Sequence, residues 1–213
     1  MNDDHSNNFN SFIGYFAGNR NITGEYNTAI GTSALRNNLG NRNTAVGMNA
    51  LYSNTTGGFN TVMGYDALRN ATAANTNVAI GLNTMTLTTT ASQNVAVGAQ
   101  ALRNLVTGQY NIVMGRAALA ANANGDGVPA NFSHVIGIGN WTFTDKSAGD
   151  YSIAIGTRAC DRESTGHHNT GVGGFALRNN SEGTYNSSLG SRLAWSISNG
   201  LIQCFLISNV QNS

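Results

Sequence analysis

Glycine returns along this chain at an interval of about seventeen residues. The returning positions are Gly14, Gly31, Gly47, Gly64, Gly81, Gly98, Gly115, Gly137, Gly156, Gly173 and Gly190, at spacings of 17, 16, 17, 17, 17, 17, 22, 19, 17 and 17. Four positions before the glycine stands Asn in nine copies, with Ser133 and Ser152 in the other two. A large aliphatic residue immediately precedes it in every copy, from Ile13 to Leu189. Three positions after it Ala fills eight of eleven copies, usually with Leu next, as in Ala34-Leu35 and Ala50-Leu51. Such a unit has room for two β-segments of four or five residues and their turns, and is too short for helices with a core of their own. One copy cannot bury its apolar face alone, so the copies must stack, each strand hydrogen-bonding to its equivalent one coil along. The expected fold is all-β, a parallel β-solenoid of about eleven coils. At roughly 4.8 Å per rung it makes a rod about 50 Å long.

The columns of this repeat carry their own expectations. Stacked Asn side chains would form a ladder that satisfies backbone groups left open by sharp turns. The glycine column marks positive φ or close backbone approach. The first segment reads Thr28-Ala29-Ile30, Val78-Ala79-Ile80, Ile112-Val113-Met114 and Ile153-Ala154-Ile155, apolar on both faces. A strand with one wet face should alternate, so both faces are expected to be buried. One face packs on the Ala-Leu segment. The small residues Ala29, Ala45, Ala79, Ala96 and Ala154 are expected on the other, where identical rods approach closely in a homo-oligomer.

Asn27-Thr-Ala-Ile-Gly31, Asn43-Thr-Ala-Val-Gly47 and Asn77-Val-Ala-Ile-Gly81, each followed by a small residue three positions on, resemble the head repeats of trimeric autotransporter adhesins, the YadA-like heads. The longer form seen here, with Ala-Leu-x-x-Asn and then Gly before the next Asn, is similar to repeats in phage and viral tail fibres. The match covers residues 10–194, with 1–9 as a lead-in and irregular coils at about 120–156. Residues 195–213 leave the pattern and are expected to cap the last coil or begin a following segment. The resemblance implies a left-handed parallel β-roll, a homotrimer and a role in attachment to a host-surface glycan or protein receptor, on a virion tail fibre or an extracellular cell surface. A longer coil and the lack of a visible signal, stalk or anchor favour the viral fibre.

Composition narrows the function classes. Only 10% of the 213 residues are charged, the formal net charge is +1, and Lys146 is the single lysine. Nucleic acid is therefore not an expected partner, because phosphate contacts need clustered cations. No apolar run approaches a membrane span. Cys160 and Cys204 make neither a disulfide framework nor a metal site and read as buried small hydrophobes. No metal or cofactor is expected.

Residues 126 to 163 hold eight of the 21 charged residues, and the two irregular spacings fall in this part of the chain. A long loop on a regular scaffold is a usual place for recognition. Asp126, Phe132, Trp141, Asp145, Lys146 and Tyr151 are the candidate receptor contacts, suited to a sugar stacked on an aromatic face and hydrogen-bonded at its edge. Arg36, Arg69 and Arg103, five positions after their glycines on alternate coils, would lie on one edge about 10 Å apart. They suit an anionic polysaccharide or an ordinary solubilising edge. No catalytic residue is assigned. Asp126, Asp145, Asp150, Asp161 and Glu163 are carboxylates of one region, but sequence proximity sets no working separation between them. His167-His168 reads as a wet turn. The leading expectation is a non-catalytic attachment module; a structural spacer and a glycan-degrading tailspike are the alternatives.

Overall fold

The computed structural model describes residues 9–120, 130–146 and 148–194, together with the backbone of 204–206. Twelve strands of three residues follow one another: β1 (Ser11–Ile13), β2 (Thr28–Ile30), β3 (Thr44–Val46), β4 (Thr61–Met63), β5 (Val78–Ile80), β6 (Val95–Val97), β7 (Ile112–Met114), β8 (Ile136–Ile138), β9 (Ile153–Ile155), β10 (Thr170–Val172), β11 (Ser187–Leu189) and β12 (Cys204–Leu206). They pair in chain order in one parallel sheet, and β1 to β11 make about ten turns of a β-solenoid. Each strand meets its repeat equivalent, Thr28 opposite Thr44 and Val78 opposite Val95.

Each coil carries one strand rather than two. The Ala-Leu segment turns instead of extending, because the second and fourth residues after the glycine lie at positive φ, as at Ser33 (59°) and Leu35 (50°). The segment is still bonded from coil to coil: the Leu35 N–H donates to the Ala50 carbonyl and the Leu51 N–H to that of Ala67, both at 3.0 Å. Its Leu side chains (Leu35, Leu51, Leu68, Leu102, Leu119, Leu177) point inward and, with mid-strand residues such as Ala29, Ala45 and Ala79, form the core.

The alanines therefore face inward, contrary to the expectation that they line an outer contact. Seventeen residues enclose a narrow interior, so a leucine there leaves room only for a small residue opposite. The larger strand residues point out, and Ile13, Ile30, Met63, Met114, Ile138, Ile155 and Leu189 stand exposed along the sheet.

The register of the eighth copy also differs from the expected one. Gly137 sits mid-strand, opposite Val113 and Ala154, and takes the alanine position; a Cβ there would lie 2.4 Å from the Leu119 side chain. Gly139, at φ 130°, stacks in the glycine column between Gly115 and Gly156. Ile136-Gly137 and Ile138-Gly139 both satisfy the aliphatic-glycine signature, and only the stacking decides between them. The spacings become 24 and 17 in place of 22 and 19, so one coil is long rather than two. Its extra length falls between Ala120 and Ala130, where residues 121–129 lie outside the described part. Beyond residue 194 the described backbone is that of β12, which pairs with β11 in register, Ser187 opposite Cys204.

The asparagine ladder forms. Asn60 donates through its backbone N–H and its Nδ2 to Asn43 Oδ1, both at 3.0 Å, and its Nδ2 also donates to the Ala74 carbonyl at 2.7 Å. The same pattern links Asn77, Asn94 and Asn111. With Gly139 as the anchor, the eighth copy places Val135 in this column and the ninth Ser152, so the amide ladder stops at Asn111 and resumes at Asn169 and Asn186.

The glycine column gives a direct test. At Gly64 φ is +141°, and an added Cβ would lie 2.2 Å from the Gly81 carbonyl oxygen. Gly64→Ala should cost about 3 kcal/mol or more in chemical denaturation. Gly174, whose added Cβ would meet nothing closer than 3.7 Å, should tolerate the same change within about 0.5 kcal/mol.

Candidate functional site

Stacking turns every repeat position into a line of side chains along the rod, so a surface site here is built from neighbouring coils. Two positions after the glycine, the eighth to eleventh copies place Trp141, Arg158, Phe175 and Arg192, each at positive φ. A guanidinium lies over the Trp141 ring from the preceding coil (Arg116, 5.4 Å) and another from the following coil (Arg158, 5.6 Å). Such stacks contribute about 0.5–1 kcal/mol each at exposed sites. Beside them opens a pocket of about 240 Å³ lined by Trp141, Thr144, Asp145, Arg158, Asp161, Arg162 and Arg178.

The charges in this pocket are partly paired. Arg178 Nε donates to Asp161 Oδ2 at 3.2 Å, and the Thr144 hydroxyl donates to Asp161 Oδ1. Asp145 has its carboxyl raised above the usual aspartate range, first by loss of solvent and then by the Asp161 carboxylate, against a smaller opposing pull from Arg162. The pocket thus offers hydrogen-bonding carboxylates, guanidinium groups and a tryptophan edge. Both faces of that tryptophan are covered, so a sugar meets its edge rather than stacking on it.

The expected receptor contacts separate in space. Trp141 and Asp145 come together in the pocket. Tyr151 lies elsewhere, half exposed, in a different column. Phe132 is buried in the core and presents nothing to a receptor. Lys146 is also fully buried: its Nζ donates to Glu163 Oε1 at 2.7 Å and to the Gly166 carbonyl at 2.8 Å. It is the seventh residue after its glycine, in the inward column that holds Asn38, Asn54 and Asn180 elsewhere. Asp126 lies outside the described residues.

Two of the three edge arginines are engaged within the chain. Arg36 donates to the Tyr52 hydroxyl at 3.1 Å and lies over the rings of Phe16 and Tyr52. Arg69 is 3.7 Å from Asp66. Arg103 keeps its expected place in the same column. Cys160 is buried in the core, and burial pushes its thiol well up, so it is an unreactive packing group.

One column escaped the sequence reading. Five positions before the glycine, Tyr110, His134, Tyr151, His168 and Tyr185 stack in an unbroken series at centroid distances of 5.0, 4.7, 5.1 and 4.7 Å. Near the other end Arg42 lies between Tyr26 and Phe59, and Phe9 stacks on Tyr26. The aligned position alone would have revealed it, once Gly139 replaced Gly137 as the anchor. His167 Nδ1 lies 2.8 Å from His168 Nδ1 in an exposed segment that edges this ladder. Among the described residues no group of three or more His, Cys, Asp or Glu is gathered to hold a metal ion.

Comparison of the chain with family models, with curated proteins and with solved structures returns no match.

Asp145 supplies a test of the pocket's electrostatics. Its folded-state affinity for a proton exceeds its unfolded one, so its charge weakens the fold above the raised value. That penalty vanishes as the pH falls through that value and below the ordinary aspartate range. Asp145→Asn should melt higher than the parent at neutral pH and no higher at about pH 3.

Proposed function

We propose that this chain is a non-catalytic attachment module of a fibre, assembled as a homotrimer and displayed on a virion or an extracellular cell surface. The observation that carries this reading is the exposed aliphatic line on the sheet, from Ile13 through Ile30, Met63, Met114, Ile138 and Ile155 to Leu189. It runs the length of the rod, with Val46, Ile80, Val97 and Val172 half-buried between. Isolated apolar side chains on a surface need no explanation, but a continuous line does. Covering one such side chain contributes about 1.5–3 kcal/mol. A second copy offers the same line at the same pitch, so identical rods match rung for rung. The number three and a left-handed coil rest on the resemblance to YadA-like heads.

Receptor contact is assigned to the Trp141 pocket, where the charged groups of three coils meet. Its mixture of guanidinium and carboxylate groups suits the hydroxyls and acidic groups of a surface glycan, or a polar patch on a surface protein. A purely structural spacer is the second reading, favoured because Arg36, Arg69 and Arg178 are all engaged by neighbours in the same chain. A glycan-degrading tailspike is the third, since Asp145 and Asp161 line one pocket and differ in their surroundings.

Light scattering at micromolar concentration should give three times the 22.3 kDa chain mass, and a monomer mass would remove the assembly claim. Trp141→Ala and Arg162→Ala should each weaken adhesion to host cells about tenfold while leaving that assembled mass unchanged. Unchanged adhesion would favour the spacer. New reducing ends released from host polysaccharide would favour the tailspike.

A further inference from the structure

Inside the coil, the buried Lys146 and Asn169 share one hydrogen-bonding partner, the Glu163 carboxylate. Glu163 lies on the coil after Lys146, and its two carboxylate oxygens hold different partners. Oε1 accepts from Lys146 Nζ at 2.7 Å, and Oε2 accepts from Asn169 Nδ2 at 3.0 Å. The Asn169 carbonyl oxygen Oδ1 accepts two N–H groups of Asn186, the backbone one at 2.9 Å and Nδ2 at 3.3 Å. All four residues are buried, and the Lys146 ammonium lies 5.1 Å from the Phe143 ring centroid. An amine, an amide carbonyl with two donors on its oxygen, and a carboxyl group bonded to both the attacking and the leaving nitrogen thus share one dry space. Elsewhere in the asparagine column the amide meets another amide, as Asn94 Nδ2 meets Asn77 Oδ1, and neither an amine nor a proton carrier is supplied.

We propose that Lys146 and Asn169 are joined by an intramolecular isopeptide bond formed with Glu163 as the proton carrier. The step balances without a co-reactant. Lys146 Nζ passes a proton to Glu163 and attacks Asn169 Cγ as a neutral amine; the carbonyl electron pair moves to Oδ1, where the Asn186 donors hold it. As the tetrahedral intermediate collapses, the Cγ–Nδ2 bond breaks, the carboxyl of Glu163 protonates the departing nitrogen, and Glu163 takes up the second Nζ proton. One ammonia leaves, and nothing is oxidised or reduced. Burial holds the Glu163 carboxyl above the usual range despite Lys146, which suits a group that must carry the proton between two nitrogens. The bond would tie adjacent rungs beside the long coil, and it is independent of the attachment reading.

Intact-mass measurement of the denatured full chain tests this directly. The parent should weigh about 17 Da less than its sequence, the mass of the ammonia expelled by the amine. Trypsin should leave Lys146 uncleaved, in a branched peptide joined to the one containing Asn169. Glu163→Gln and Asn169→Ala should each restore full sequence mass and cleavage after Lys146. A parent chain at full mass would overturn the proposal whether or not the variants fold. So would a deficit confined to the Asn169-Thr170 peptide with Lys146 cleaved normally, which marks a succinimide, or a deficit that persists in Glu163→Gln.

Discussion

The coil closes in seventeen residues only because four positions per turn lie at positive φ. One is the glycine; the others are bulky or polar L-residues, such as Tyr26, Ser33 and Leu35 in one turn. Each such residue costs about 1 kcal/mol or more of backbone strain. No isolated turn could hold that geometry. Stacking offsets it, because each strained turn donates and accepts hydrogen bonds to an identical turn above and below, and its leucine joins a shared core. The strain explains the short strands, the narrow interior and the strict length of the repeat. It also explains why the side chains of each position line up so closely that rings and guanidinium groups stack along the surface.

Much of this was legible in the residues. The interval between glycines predicted stacked parallel strands, positive φ at the glycine and an asparagine ladder, and all three are present. What the pattern could not settle was which side of a three-residue strand faces in, since Thr28-Ala29-Ile30 is apolar on both. Interior width decides that, and width follows from the turns rather than from polarity. Ile136-Gly137-Ile138-Gly139 offered two registers, and the wrong one made two spacings irregular in place of one. In the true register Trp141 and Tyr151 fall in two separate surface columns, and Phe143 replaces the core leucine. Lys146, expected among the receptor contacts, is instead buried with its ion pair. Its partner Glu163 stands one repeat length later, and that spacing was the available signal. Asp126 lies outside the described residues.

The surface follows the same logic. The columns bring together residues seventeen apart, so the Trp141 pocket has no sequence motif of its own; it arises from the second, fifth and sixth positions after the glycine in three adjacent copies. The aromatic column arises the same way. Its rings cover one another's faces and show solvent chiefly their edges. This tempers the apolar character that the exposure of Tyr110, Tyr151 and Tyr185 would suggest.

The interruption of the asparagine ladder at Val135 and Ser152 has a thermodynamic meaning. A stack of like units coupled only to nearest neighbours behaves as a one-dimensional cooperative chain, and its order is limited by its weakest coupling. Between the eighth and ninth coils no amide passes along the ladder, and the long coil lies just before. That junction is a domain wall, dividing the rod into a longer and a shorter cooperative block. Lys146 on one side and Glu163 on the other meet across it, at the point where the ladder alone would hold the array least.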